Sequence, residues 1–137
     1  MDALLAPHAI VASSSSGLIM TRLQSRCQHA SRFVIGHPFN PPHLIPLVEV
    51  VPGEKTAEES VERAMAFYAA VGKRPIRVRR EVPGHIANRL QAALWQEAYS
   101  LVERGVASVA DIDTAISQGP GLRWAVLGPF LNQHLSG

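Results

Sequence analysis

Apolar residues follow two different patterns along this chain of 137 residues. Up to about residue 81, short apolar runs alternate with stretches of helical spacing. Beyond it only helical spacing is found. Ala9-Ile10-Val11-Ala12 reads as a short buried strand entering the polar turn Ser13-Ser14-Ser15-Ser16-Gly17, although four serines also fit a flexible linker. A helix is expected over Leu18–Gln28 and a second strand over Arg32–Gly36. Pro38, Pro41, Pro42 and Pro46 make His37 to Pro46 an ordered extended loop, because proline removes donors and disfavours helix before it. Leu47–Val51 reads as a strand ended by Pro52-Gly53. Thr56–Val71 reads as a helix, opened by a Thr56/Glu59 capping box and closed by Gly72, with Val61, Ala64, Met65, Tyr68 and Val71 on its inner face.

Pro75–Arg80 alternates apolar and basic residues, as in a strand at a sheet edge or with an antiparallel partner. Ile86, Leu90, Ala93, Leu94, Ala98, Leu101 and Val102 then mark a long helix ending near Gly105. Ser108 and Asp111 cap another, with Ile112, Ala115 and Ile116 expected inside. Gly119-Pro120-Gly121 breaks it, and Gly128-Pro129 must kink or split a last helix over Trp124–Leu135. The expected fold is therefore α/β followed by all-α, with two incomplete parts meeting at residues 81–83: 1–82 and 83–137.

Composition narrows the classes. At 47% hydrophobic and 18% charged, the chain is ordinary globular material. A net charge of +2 gives no reason to expect nucleic acid as a partner. The basic cluster Arg77, Arg79 and Arg80 reads as a wet strand face or, alternatively, a site for an anion such as a CoA phosphate. The single cysteine, Cys27, forms no internal disulfide and lacks an activating neighbour in sequence, so an inert thiol in a reducing compartment is expected. Without a membrane-length apolar run or a signal-peptide pattern, the expectation is a cytoplasmic protein with no membrane partner.

Two residues stand out chemically. His37 heads the proline loop, and Glu49 interrupts the apolar run of the next strand. A loop that doubles back would set the two strands antiparallel and bring the side chains together. A carboxylate beside an imidazole fixes its tautomer and strengthens it as a base for an alcohol proton. Taken alone, His37 more often fits a structural histidine, and Glu49 a buried acid needing only a partner. The other histidines, His8, His29, His43, His85 and His134, lack metal-ligand spacing, so no metal is expected. Ser16-Gly17 lacks the hydrolase elbow Gly-x-Ser-x-Gly, and neither Gly-x-Gly-x-x-Gly nor a phosphate-loop lysine motif occurs.

Gly36-His37-Pro38-Phe39-Asn40-Pro41-Pro42, followed by Pro46 and Leu47-Val48-Glu49-Val50, resembles the catalytic signature of the 3-hydroxyacyl-CoA dehydrogenase family. Ala12 to Leu18 resembles that family's turn after a Rossmann strand. Pro83-Gly84-His85-Ile86-Ala87-Asn88-Arg89-Leu90 resembles the start of its helical domain, and Glu97 to Asp113 its next helices. Gly119 to Ala125 with Gly128-Pro129-Phe130 resembles the branch holding lambda-crystallin, gulonate dehydrogenase, carnitine dehydrogenases and bacterial 3-hydroxybutyryl-CoA dehydrogenases.

The resemblance implies the C-terminal part of a Rossmann-type dinucleotide-binding domain joined to part of a helical dimerisation and substrate domain. It implies His37 as general base, Glu49 as its orienter, Ser16 and Asn88 on the substrate, and Ser16 and Asn40 on the nicotinamide end of NAD. Ser14 departs from the family's more usual asparagine. The implied substrate is a small hydroxyacyl or hydroxy-acid molecule, and the implied assembly a homodimer. Family members open with a glycine-rich turn and an acidic residue for the ribose. Residue 1 falls late in that domain, roughly 100 residues in. Impaired cofactor binding by a fragment is therefore expected. The alternatives are a non-catalytic dimerisation or binding module, and a true start further upstream.

Overall fold

A computed structural model of the protein describes residues 2–136. The chain forms two compact units, 1–90 and 91–137. The first carries a four-stranded mixed sheet in the order β1-β2-β3-β4: β1 Val11–Ser13, β2 Phe33–Pro38, β3 Leu47–Pro52 and β4 Arg74–Arg77. β1 runs parallel to β2, β2 antiparallel to β3, and β3 parallel to β4. The serine turn after β1 and the segment after His37 therefore leave the sheet at the same edge, where ligands of α/β sheets bind.

Strand alternation explains both the core and the place of Glu49. On one face Val34, Val48 and Val50 pack with Val61 and Ala64 of α2 (Glu58–Ala70). On the other, Ile35, Val51 and Val78 pack with Met20 of α1 (Met20–Leu23). With a period of two, His37 and Glu49 project on the same side as Ile35 and Val51. Gly36 projects toward α2, where a β-carbon would lie 2.7 Å from Tyr68 Cζ. Burial pushes the Tyr68 hydroxyl above its ordinary pKa.

Several expectations are corrected. The helix over Leu18–Gln28 is only α1 continued by a 3-10 turn, Gln24–Arg26. Thr21, in the first turn of α1, donates its amide and its hydroxyl to the Glu81 carboxylate, the amide at 2.9 Å. The Thr56/Glu59 capping box is absent. Thr56 Oγ1 instead accepts from Gly53 N–H at 2.8 Å and donates to the Phe33 carbonyl at 2.7 Å, so α2 starts after Ala57 with no side-chain cap. Val71 is exposed rather than inside, because it follows the last residue of α2. The expected glycine cap does form: Gly72 has φ 81°, and Lys73 N–H donates to the Tyr68 carbonyl. β4 is an edge strand but parallel to its neighbour.

The proline loop is ordered by donors from outside it. Lys73 Nζ donates to the carbonyls of Pro42 and Ile45, the second at 3.1 Å, and Arg74 N–H to that of Pro46 at 2.8 Å. The Asn40-Pro41 bond is cis. Arg77 forms a two-pronged ion pair with Glu58, at the start of α2, which holds the Glu58 carboxyl below its ordinary pKa. Both partners are largely solvated, so the pair contributes little to stability.

α3 (Ala87–Glu103) starts in the first unit and continues into the second, which also holds α4 (Val109–Ser117), α5 (Pro120–Trp124) and α6 (Pro129–Leu135). Of the last expected helix, Trp124–Leu135, only α6 from Pro129 on is helical, while Trp124 closes α5, which starts at Pro120 within the expected Gly119-Pro120-Gly121 break. The Ser108/Asp111 capping box is present. Ile112 and Ile116 are only half-buried and Ala115 is exposed, because none of the described residues from Ile86 onward is fully covered.

Candidate active site

The antiparallel return of β3 beside β2 puts His37 opposite Glu49. His37 Nδ1 lies 2.9 Å from Glu49 Oε2. A carboxylate only accepts, so Nδ1 carries a proton, and in the neutral ring this leaves the lone pair on Nε2. Glu49 is fully buried and His37 is 6% exposed. The other carboxylate oxygen, Oε1, accepts from the backbone N–H groups of Ile86 and Ala87 at 2.9 and 3.0 Å. These amides open α3, whose partial positive N-terminal charge also favours an anion there. Glu49 is thereby locked on both oxygens, and it locks the ring of His37 in turn.

The other expected site residues stand differently. Ser16 is exposed in the turn after β1, and Asn40 is exposed just past β2, at the same edge of the sheet. Asn88, in the first turn of α3, is half-buried and follows the residues that hold Glu49. Among the described residues the side chains of Ser16, Asn40 and Asn88 make no hydrogen bond to the pair or to any other group. A separate groove of about 340 Å³ beside Ile10, Ala12, Ala64 and Tyr68 contains none of these residues. Among the described residues no His, Cys, Asp and Glu cluster could hold a metal ion, and no helix is long and apolar enough to cross a membrane.

Two contributions escaped sequence reasoning. One is the pair of backbone amides at Ile86 and Ala87, which carry no side-chain signal. The other is His85, which is 2% exposed, with its ring centroid 5.3 Å from that of His37. Its only sequence clue is its place after Pro83-Gly84, in a turn too tight for most residues.

Residues 1–82 match the model of the NAD binding domain of 3-hydroxyacyl-CoA dehydrogenase, and residues 84–137 that of the C-terminal domain. The chain belongs to the 3-hydroxyacyl-CoA dehydrogenase family. Within that family it is 54% identical over 138 residues to a 3-hydroxyacyl-CoA dehydrogenase of Gibberella moniliformis, covering all of this chain and 43% of the relative. It is 56% identical to an L-carnitine dehydrogenase of Streptomyces coelicolor, again over 100% of this chain and 43% of the relative. The chain thus spans less than half the length of these family members. A crystal structure of 5-formyl-3-hydroxy-2-methylpyridine 4-carboxylic acid 5-dehydrogenase, an NAD+-dependent dismutase, superposes with a TM-score of 0.95 at 42% identity, over 99% of this chain and 44% of the other.

Proposed function

We propose that this chain carries the proton-handling part of an NAD-dependent dehydrogenase acting on a hydroxyl-bearing carbon, with residues 1–82 as the sheet part and 83–137 as the helical part. The observation that carries this reading is the His37–Glu49 pair, clamped through Glu49 by two backbone amides. His37 Nε2 takes the proton of the substrate hydroxyl. Glu49 holds the tautomer and offsets the charge that develops on the ring. Ser16 and Asn88 orient the substrate oxygen. NAD, when bound, would supply the hydride acceptor.

The residues present fit only one end of that cofactor. Ser16 and Asn40 offer exposed polar side chains at the sheet edge where a nicotinamide would lie. With no Gly-x-Gly-x-x-Gly in these 137 residues, the pyrophosphate has no cradle here, so weak NADH binding is expected. The substrate class follows the relatives: a 3-hydroxyacyl-CoA, L-carnitine or a similar hydroxy acid.

Calorimetric titration with NADH tests this first. Saturable NADH binding, even if weak, followed by oxidation of L-carnitine or 3-hydroxybutyryl-CoA that His37→Ala abolishes, supports the reading. A folded chain that binds no NADH would sink the claim that these residues act as a dehydrogenase by themselves. It would favour a second reading, a homodimerisation module, which draws on the exposed Trp95, Tyr99, Leu122, Trp124 and Phe130 of the helical unit.

A further inference from the structure

The site contains a second imidazole that the proposed chemistry does not use. His85 is buried, yet it sits at φ 51°, in the left-handed region that side-chain-bearing residues seldom enter. Gly84 before it has φ 77°, and this double reversal turns the chain between Val82 and α3. The turn aims His85 Nε2 at the backbone carbonyl of Ser15, 3.3 Å away. A carbonyl only accepts, so Nε2 is the protonated nitrogen. The other nitrogen, Nδ1, is buried with no hydrogen-bond partner. A proton there would be sealed away without an acceptor, beside a ring that takes up positive charge in the proposed reaction. The geometry thus offers an acceptor for a proton on Nε2 and none for a proton on Nδ1.

Three parts of the site meet at this residue. Its side chain holds the serine turn at Ser15, next to Ser16. Its ring packs against His37 at an interplanar angle of 55°. Its backbone leads directly into the Ile86 and Ala87 amides that hold Glu49. We propose that His85 is a positioning residue of the His37–Glu49 site, a neutral imidazole that ties the Ser15-Ser16 turn to the base and so sets where the Ser16 hydroxyl meets the substrate. The catalytic part of this statement rests on the dehydrogenase reading. The tether itself is measurable without cofactor or substrate.

The test uses nitrogen-15 histidine NMR of the full chain, with the His85 signals assigned by their loss in His85→Phe and in His85→Gln. Near neutral pH, His85 is expected as the Nε2–H tautomer. A charged ring or an Nδ1–H tautomer would overturn the proposal. His85→Phe keeps a ring but removes the donor, and is expected to shift and broaden the Ser15 and Ser16 amide signals. His85→Gln places an amide N–H near the position of Nε2 and is expected to restore them. Unchanged Ser15 and Ser16 amides in a folded His85→Phe chain would defeat it. Should His85→Phe fail to fold, the wild-type tautomer and the His85→Gln spectrum still decide. With turnover measurable, His85→Phe is expected to lower kcat/KM about tenfold or more, and His85→Gln to recover most of it. Failed NADH binding with the tether intact would count against the dehydrogenase reading alone. A missing tether in an active chain would count against His85 alone.

Discussion

Single residues show how buried chemistry was built into an apolar strand. Glu49 satisfies two backbone amides with one oxygen and His37 with the other, without a solvent contact. Glu49→Ala strands three donors and is expected to cost about 3 kcal/mol in urea unfolding. Glu49→Gln separates stability from chemistry. Its carbonyl still serves the amides, while its NH2 forces His37 Nδ1 to accept and moves the proton to Nε2. Unfolding is expected to change by about 1 kcal/mol, and the turnover proposed above to fall by about a thousandfold. Equal activity of Glu49→Gln and wild type would show that the tautomer is unimportant. Gly36→Ala pushes a β-carbon into the Tyr68 ring and hydroxyl and is expected to cost about 1–3 kcal/mol, read as a lower Tm. If the clash is the cause, Tyr68→Ala should relieve part of that loss in the double variant.

Among the elements, two segments share a capping-box spacing and only one forms it. Ser108 and Asp111 exchange bonds at the start of α4. Thr56 and Glu59 do not, because the nearby Gly53 amide and the distant Phe33 carbonyl claim the Thr56 hydroxyl first. The Ser108 hydroxyl and amide hold the Asp111 carboxyl below its ordinary pKa. A depressed carboxylate stabilises the helix above its unfolded pKa, about 4, and that contribution fades as pH falls through the lower folded value. Far-UV ellipticity should therefore drop on acidification below about pH 4 by more in wild type than in Asp111→Asn. A matching acid profile for the two chains would remove the capping box from the explanation. The local chain made α4 legible. The extent of α1 was not, since its first turn is held by Glu81, sixty positions away in sequence.

At the scale of the whole molecule, the two units differ in what they bury. The first has apolar clusters on both faces of its sheet. In the second, Trp95, Tyr99, Val106, Trp124, Val126 and Phe130 remain exposed. Exposed apolar surface of this kind is where the proposed self-association would form. Light scattering across a concentration series is expected to show self-association of the 137-residue chain, and Phe130→Asp to weaken it. A chain that stays monomeric at high concentration would remove the homodimer from the proposal.

The order of strands and helices through α4, the glycine cap at Gly72 and the unusual standing of His37 and Glu49 were all determined by the sequence, because each depends on residue periodicity, turn chemistry or motif within a short window. Tertiary structure alone decided that Glu49 rests on the Ile86 and Ala87 amides, that His85 reaches Ser15, and that Thr56 abandons its cap. Those contacts join segments 23 to 70 positions apart, and they depend on backbone groups whose availability no side-chain pattern records.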